Sequence, residues 1–159
     1  MTKPQCVAAD FDADIDIVYA MHDVFKRQSE VEIFPMCIDQ AIKIAPYSQR
    51  GGGMLTGKYA NGGAGRLTKE HRYSFERMRR AVLGLSTRAT ALGIQSPTLA
   101  VARAMSHPAC PRHIMSAGFS VQVQRSVEAV TFGTAAEIYD RITAPLVTPP
   151  PANDRAGEL

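Results

Sequence analysis

The run Gly52-Gly53-Met54-Leu55-Thr56-Gly57-Lys58-Tyr59 carries the G-x-x-x-x-G-K spacing of a phosphate-cradling loop. In such a loop backbone N–H groups wrap the phosphates, a lysine reaches the outer ones and a following Ser or Thr hydroxyl holds magnesium. Here Tyr59 takes the hydroxyl position, and the glycine-rich stretch from Asn61 to Gly65 is a poor start for the helix that must follow. A nucleoside-triphosphate loop is therefore not expected. Asp10, Asp12, Asp14 and Asp16 alternate, which places their carboxylates on one face of an extended segment. A calcium loop fails on detail, because its sixth position would be Ile15 rather than glycine and its twelfth Met21 rather than glutamate. A solvated acidic approach to a strand is the better reading.

The four histidines, His22, His71, His107 and His113, have no companion spacing such as HExxH, so no metal site is expected and each reads as a surface or capping residue. Cys6, Cys37 and Cys110 are odd in number and lack CxxC spacing, which argues for reduced thiols in a cytoplasmic setting. Cys37 should face the core from a helix. No nucleophile–base–acid set presents itself, so no catalytic residue is assigned.

The chain has 159 residues, 45% of them hydrophobic, enough for a packed core. Eighteen Lys+Arg against fifteen Asp+Glu leave a net charge of +3, well short of a nucleic-acid surface. No apolar run is long enough to span a bilayer, and the opening Met1-Thr2-Lys3-Pro4-Gln5-Cys6 is not a secretory signal. Neither nucleic acid nor membrane is an expected partner.

Three short strands are expected, at Ile15–Tyr19, Ile42–Pro46 and His113–Ser116. Ser29 with Glu32 has the spacing of a capping box and predicts a helix through Ala41. The glycines at 51–53 and 62–65 predict a long mobile loop region. Phe75, Met78, Val82, Leu85, Ala89 and Leu92 form one helical stripe, predicting a helix over Lys69–Leu92 with Gly93 as its C-cap. Ser96-Pro97 reads as N-cap and first residue of another helix to about Ser106. Helices are further expected over Val121–Val130 and Ala135–Thr143, before a Pro-rich tail at Pro149-Pro150-Pro151. Strands alternating with helices define an α/β protein with a parallel sheet. The expected divisions are an unassigned segment 1–14, a folded part 15–144 and a tail 145–159.

Ala45-Pro46-Tyr47-Ser48-Gln49-Arg50-Gly51-Gly52-Gly53-Met54-Leu55-Thr56-Gly57-Lys58-Tyr59 closely resembles the segment after the seventh strand of aldo-keto reductases, where the usual run is Y-S-P-L-x-x-G-x-L-T-G-K-Y. Lys26–Pro35 resembles the helix after strand six, and Pro97–Pro108 the helix leading into strand eight. The tail, with Asp154-Arg155, is similar to that of the aryl-alcohol-dehydrogenase-like members. The resemblance implies a partial (β/α)8 TIM barrel made of about its last three β/α units. It further implies that the catalytic Asp, Tyr, Lys and His belong to a half that these residues do not match.

What the resemblance assigns to this chain is much of an NADP site. Tyr47 matches the tyrosine that stacks on the nicotinamide. Ser48 and Gly52 match the loop beside the pyrophosphate, Arg50 within that loop is assigned to the same cofactor site, and Gln122 and Ser126 match polar positions reaching the adenosine end. Three departures imply weak or residual cofactor binding. Gln49-Arg50 replace the usual Pro-Leu, Tyr19 stands where strand six usually ends in glutamine, and Gly118 stands where a cation pairs with the 2′-phosphate. Losing that charge-assisted bond implies little discrimination between NADP and NAD. The expected function is thus the cofactor-binding part of an NADP-dependent carbonyl reductase, inactive alone. The alternatives are a split-enzyme half completed by a separate N-terminal chain, and a non-catalytic interaction module that self-associates through open strand edges.

Overall fold

The computed structural model describes residues 15–61, 75–132 and 136–144. The expected segment 1–14, the tail 145–159, residues Lys69–Ser74 of the long helix and the glycines at 62–65 lie outside them.

Two strands, β1 (Ile17–Val18) and β2 (Lys43–Ile44), pair in parallel with Ile17 opposite Lys43 and Val18 opposite Ile44. The ladder continues past the strands. Lys43 N–H donates to Asp16 O at 3.0 Å, Ala45 N–H to Val18 O at 2.9 Å and Tyr47 N–H to Ala20 O at 3.0 Å. A bridge joins Met21 to Tyr47. On the other edge of β2, Arg112 and Ile114 donate to Ile44 O and Pro46 O, each at 2.8 Å. Donation from alternate residues is one half of a parallel ladder, so the third expected strand lies beside β2, as an extended segment at 112–114 rather than a regular strand at His113–Ser116. Pro111 and Pro108, which lack N–H groups, flank the approach to it.

Helices cover one face of this sheet. Val18, Ala20, Ile42 and Ile44 pack on Phe34 and Cys37 of α1 (Ile33–Asp39). Cys37 is fully buried, as its helical position implied. Between β2 and the third segment come α2 (Phe75–Ala91) and α3 (Ser96–Met105); α4 (Ser120–Phe132) and α5 (Ala136–Thr143) follow. Helix α3 is apolar nearly all round and buried from Thr98 to Ala104, the signature of a central helix. Leu99 and Ala100 join Val24, Leu55, Leu85, Ala89 and Ile142, while Val101 and Ala102 meet Ala129, with Met115 packed beside them. The opposite face of the sheet is open: Ile15, Ile17, Tyr19, Tyr47 and Ile114 are all exposed, Tyr19 at 59%.

Gly93 ends α2 with φ +69°. Its N–H donates to Thr90 O and that of Ile94 to Ala89 O, both at 3.0 Å, the paired bonds of a Schellman cap. Three local expectations are corrected. Ser29 does not cap a helix: residues Gln28–Glu30 form a 3₁₀ turn, α1 starts only after Glu32, and the Ser29 hydroxyl donates to Met21 O at 3.4 Å. Helix α3 starts one residue early, with Gln95 as N-cap and the Ser96 hydroxyl donating to Ser86 Oγ instead. Gly51–Thr56 and Lys58–Asn61 fold into 3₁₀ turns instead of a long loop. Lys58 Nζ lies over the Tyr59 ring, 4.7 Å from its centre, rather than over a phosphate cradle.

Candidate functional site

The chain segment that leaves β2 turns sharply at once. Ser48 adopts φ +72°, unusual for a residue with a side chain, and Gly51, Gly52 and Gly53 follow with φ +56°, +62° and +98°. Left-handed backbone excludes most side chains from such a run. A Cβ at Gly53 would come within 3.3 Å of Lys58 Cε. Gln49 braces the turn: it is buried, and its Nε2 donates to Pro46 O and Ile114 O, each at 3.0 Å, and lies 2.8 Å from His113 Nδ1. This side chain ties the end of β2 to the neighbouring extended segment.

With Gln49 so held, Arg50 reaches across to α4. Its Nη2 donates to Gln122 O at 2.8 Å and to Ser126 Oγ. The Ser126 hydroxyl in turn donates to Gln122 O at 3.1 Å, and Gln122 Oε1 accepts the Gly118 N–H at 2.8 Å. The fold therefore gathers Arg50, Gln122 and Ser126 with Gly118 into one polar cluster. Tyr47 lies at the end of β2 with its side chain 43% exposed on the open face, and it makes no part of that cluster. Ser48 and Gly52 lie in the connecting turn, partly exposed.

The residues present are compatible with a nicotinamide dinucleotide. An exposed aromatic ring, a guanidinium and a run of three glycines lie within residues 47–53, just past one end of the parallel strands, where ligands of α/β sheets collect.

A second polar cluster, which no local spacing revealed, lies beneath the helices. His22 and Arg103 are fully buried. Glu30 Oε1 accepts from His22 Nε2 at 2.7 Å and lies 2.8 Å from Arg103 Nη2, while Arg27 Nη2 donates to Glu30 Oε2 at 2.8 Å. An ionised carboxylate can only accept, so His22 carries its proton on Nε2, and Nδ1 has no hydrogen-bond partner among the described residues. Arg103 also donates to Tyr139 Oη and Thr143 Oγ1, both at 3.2 Å. His113 stacks on His22 with ring centres 5.6 Å apart, and His107 meets Phe34 edge-on at 5.0 Å.

The reading of these histidines as surface or capping groups is thus overturned for His22; His113 and His107 are half-buried, His107 Nδ1 caps a turn by accepting the Ala109 N–H at 3.1 Å, and His71 lies outside the described residues. Burial pushes the imidazoles of His107 and His113 down to about 4 and lowers that of His22. Burial alone would raise the Glu30 carboxyl, but hydrogen bonds from His22 and Arg27 and the Arg103 charge hold it well below the usual carboxylate range. Among the described residues no group of His, Cys, Asp and Glu is disposed to hold a metal ion. The cluster clamps β1, the 3₁₀ turn, α3 and α5 together. The signal for it in the sequence was Arg103, a charge in the middle of the apolar run Leu99–Met105.

Parallel strands joined through helices, with a glycine turn and a polar cluster at one end, define an α/β protein. The sequence matches the aldo/keto reductase family over residues 5–146, and the chain belongs to that family. The fold is similar to the glycerol dehydrogenase AKR11B4 from Gluconobacter oxydans, with a TM-score of 0.71 and 19% sequence identity. The match covers 89% of this chain and 46% of that one, so the chain spans about half the length of the structure it matches. No curated protein matches the chain. Among the described residues no helix is long and apolar enough to cross a membrane.

Proposed function

We propose that this chain is the cofactor-binding C-terminal part of an NADP-dependent aldo-keto reductase, three β/α units of a (β/α)8 barrel, and that it is catalytically silent alone. The observation that carries the reading is the path from Tyr47 through the left-handed turn to Arg50, Gln122 and Ser126. Tyr47 offers an aromatic face, Gly51–Gly53 a side-chain-free stretch, and Arg50 with Gln122 and Ser126 a polar cluster, the three kinds of surface that nicotinamide, pyrophosphate and adenosine require. A bound nicotinamide dinucleotide supplies the hydride for carbonyl reduction. Tyr47 would hold the ring by stacking, Ser48 and Gly52 would let backbone approach the pyrophosphate, and Gln122 with Ser126 would hold the adenosine end. None of these residues is a proton donor placed for the developing alkoxide, which is the role the resemblance assigns outside this chain.

The open sheet face favours a second feature of this reading, completion by further polypeptide. Ile15, Ile17, Tyr19, Tyr47 and Ile114 lie exposed on it, and α4 carries a further exposed stripe of Val123, Val127 and Val130. In a closed barrel such a face is filled by side chains of the remaining strands. Mixing the chain with the N-terminal half of an aldo-keto reductase tests this directly. Carbonyl reduction appearing only in the mixture, together with a 1:1 complex, supports a split-enzyme half. A complex without turnover points to the interaction module, and no complex counts against completion.

A further inference from the structure

The Gln49 amide faces three acceptors at once. Its Nε2 lies 3.0 Å from Pro46 O, 3.0 Å from Ile114 O and 2.8 Å from His113 Nδ1. An amide nitrogen carries two hydrogens and offers no lone pair. The two carbonyls therefore fix which end of the amide points inward, since Oε1 in the same place would meet them oxygen to oxygen. With NH₂ at that position, His113 Nδ1 must be an acceptor as well. It bears no proton, and the neutral ring carries its hydrogen on Nε2.

One added proton breaks this arrangement. An Nδ1–H would set a donor against the Gln49 NH₂, where no hydrogen bond can form. Turning the amide over gives His113 an acceptor but drives Oε1 onto the Pro46 and Ile114 carbonyls. Neither orientation satisfies all three partners once the imidazole is charged. Gln49 must then leave, and it belongs to a turn whose Ser48 already holds a left-handed φ of +72°, a conformation that a Cβ disfavours.

The groups that face the His113 ring come from several elements. His22, beyond the end of β1, stacks on it with ring centres 5.6 Å apart and planes 20° apart. Arg103 and the Ala104 main chain face it from α3, and His107 from just past that helix. Burial first, and then His22, Arg103 and His107, oppose a charge on His113, while the Ala104 main chain favours it. The neutral ring that holds Gln49 is thus the resting state.

We infer that Gln49 and His113 form a proton-operated latch on the turn at residues 48–53. With His113 neutral, Gln49 fastens the turn to the extended segment at 112–114. A proton taken from bulk water by His113 Nδ1 in acid expels Gln49 and lets the turn open. The latch does not rest on the cofactor reading, since every group in it belongs to the chain itself.

NMR titration of the full wild-type chain from pH 7 through 4 tests it. At pH 7 the His113 ring should show a bare Nδ1 and a protonated Nε2. As the ring gains its second proton, the Gln49 side-chain amide and the Gly51 and Gly53 backbone amides should move with the same midpoint. The Leu99 methyl signals, from the core, should keep their native positions throughout that step. The opposite tautomer, turn signals that ignore the His113 midpoint, or loss of the Leu99 signals at that same midpoint overturns the proposal. Two variants add independent readouts. His113→Asn offers an oxygen acceptor at every pH, so the turn signals should stop responding to acid. Gln49→Leu removes the latch, and by reciprocity the His113 ring should bind its proton about tenfold more tightly. A turn that still opens in folded His113→Asn, or an unchanged His113 titration in folded Gln49→Leu, overturns the latch.

Discussion

Arg103 Nη2 lies 2.8 Å from Glu30 Oε1, and this buried pair joins the central helix α3 to the turn that precedes α1. Both ends are otherwise satisfied, Glu30 by His22 and Arg27 and Arg103 by Tyr139 and Thr143. Removing one partner from such a pair leaves an uncompensated charge, which costs about 3–5 kcal/mol, whereas replacing both by apolar groups costs far less. Glu30→Gln should therefore lower unfolding free energy by about that amount, and Glu30→Leu with Arg103→Met by clearly less. Urea denaturation of the two variants checks the order; equal losses would mean that the pair is not coupled.

Acid should destabilise the protein in two stages. His107 and His113 are held down to about 4 in the fold by burial, against an ordinary value of 6.5. Between those values the unfolded chain takes up protons that the folded chain refuses, so stability falls as pH drops from 6.5 toward 4. His113 alone contributes about 3 kcal/mol to that fall, and the more solvated His107 contributes less. Glu30, held low, adds a further loss below its ordinary value of 4.5. Well above pH 7 none of these three groups contributes a pH dependence. Thermal midpoints recorded from pH 8 to 4 should decline below about 6.5, and His113→Asn should flatten the first stage.

Leu99 is fully buried among Val24, Leu55, Leu85 and Ala89, so Leu99→Ala should cost about 2–5 kcal/mol in cavity and lost burial. Val127 on α4 is 58% exposed, and Val127→Ala should change stability by no more than about 0.5 kcal/mol. Comparable losses at the two positions would show that something covers the α4 stripe.

The open face of the sheet should drive self-association of the pure chain at micromolar concentration. Tyr19→Lys with Ile114→Lys places charge at two exposed positions of that face and should shift the chain toward monomer in sedimentation. A wild-type chain that is monomeric from the outset would contradict this.

The parts of this fold that local physics decides were legible in the sequence. The apolar stripe of α2 and the left-handed glycine that ends it follow from residues three to five apart, and so do the extents of α4 and α5. Ser29 misled because the neighbouring Glu30 is pulled inward by Arg103, which draws Gln28–Glu30 into a 3₁₀ turn and delays the helix. The histidine cluster was illegible for the same reason, since His22 meets Arg103 across 81 positions of chain. Gln49 read as a departure from a pattern, and only its bonds to residues 64 and 65 positions away reveal a brace. At the candidate site the residue types were recognisable by resemblance. That Arg50 grips Gln122 and Ser126 depends on how the β2 turn faces α4, which no spacing encodes.

The most direct test of the account is NADPH titrated into the pure chain, with binding followed by calorimetry and oxidation followed in the presence of an aromatic aldehyde. The account predicts weak binding that Tyr47→Ala diminishes, with no oxidation above the rate without protein. Steady NADPH oxidation by the chain alone, lost in Tyr47→Ala, would contradict it.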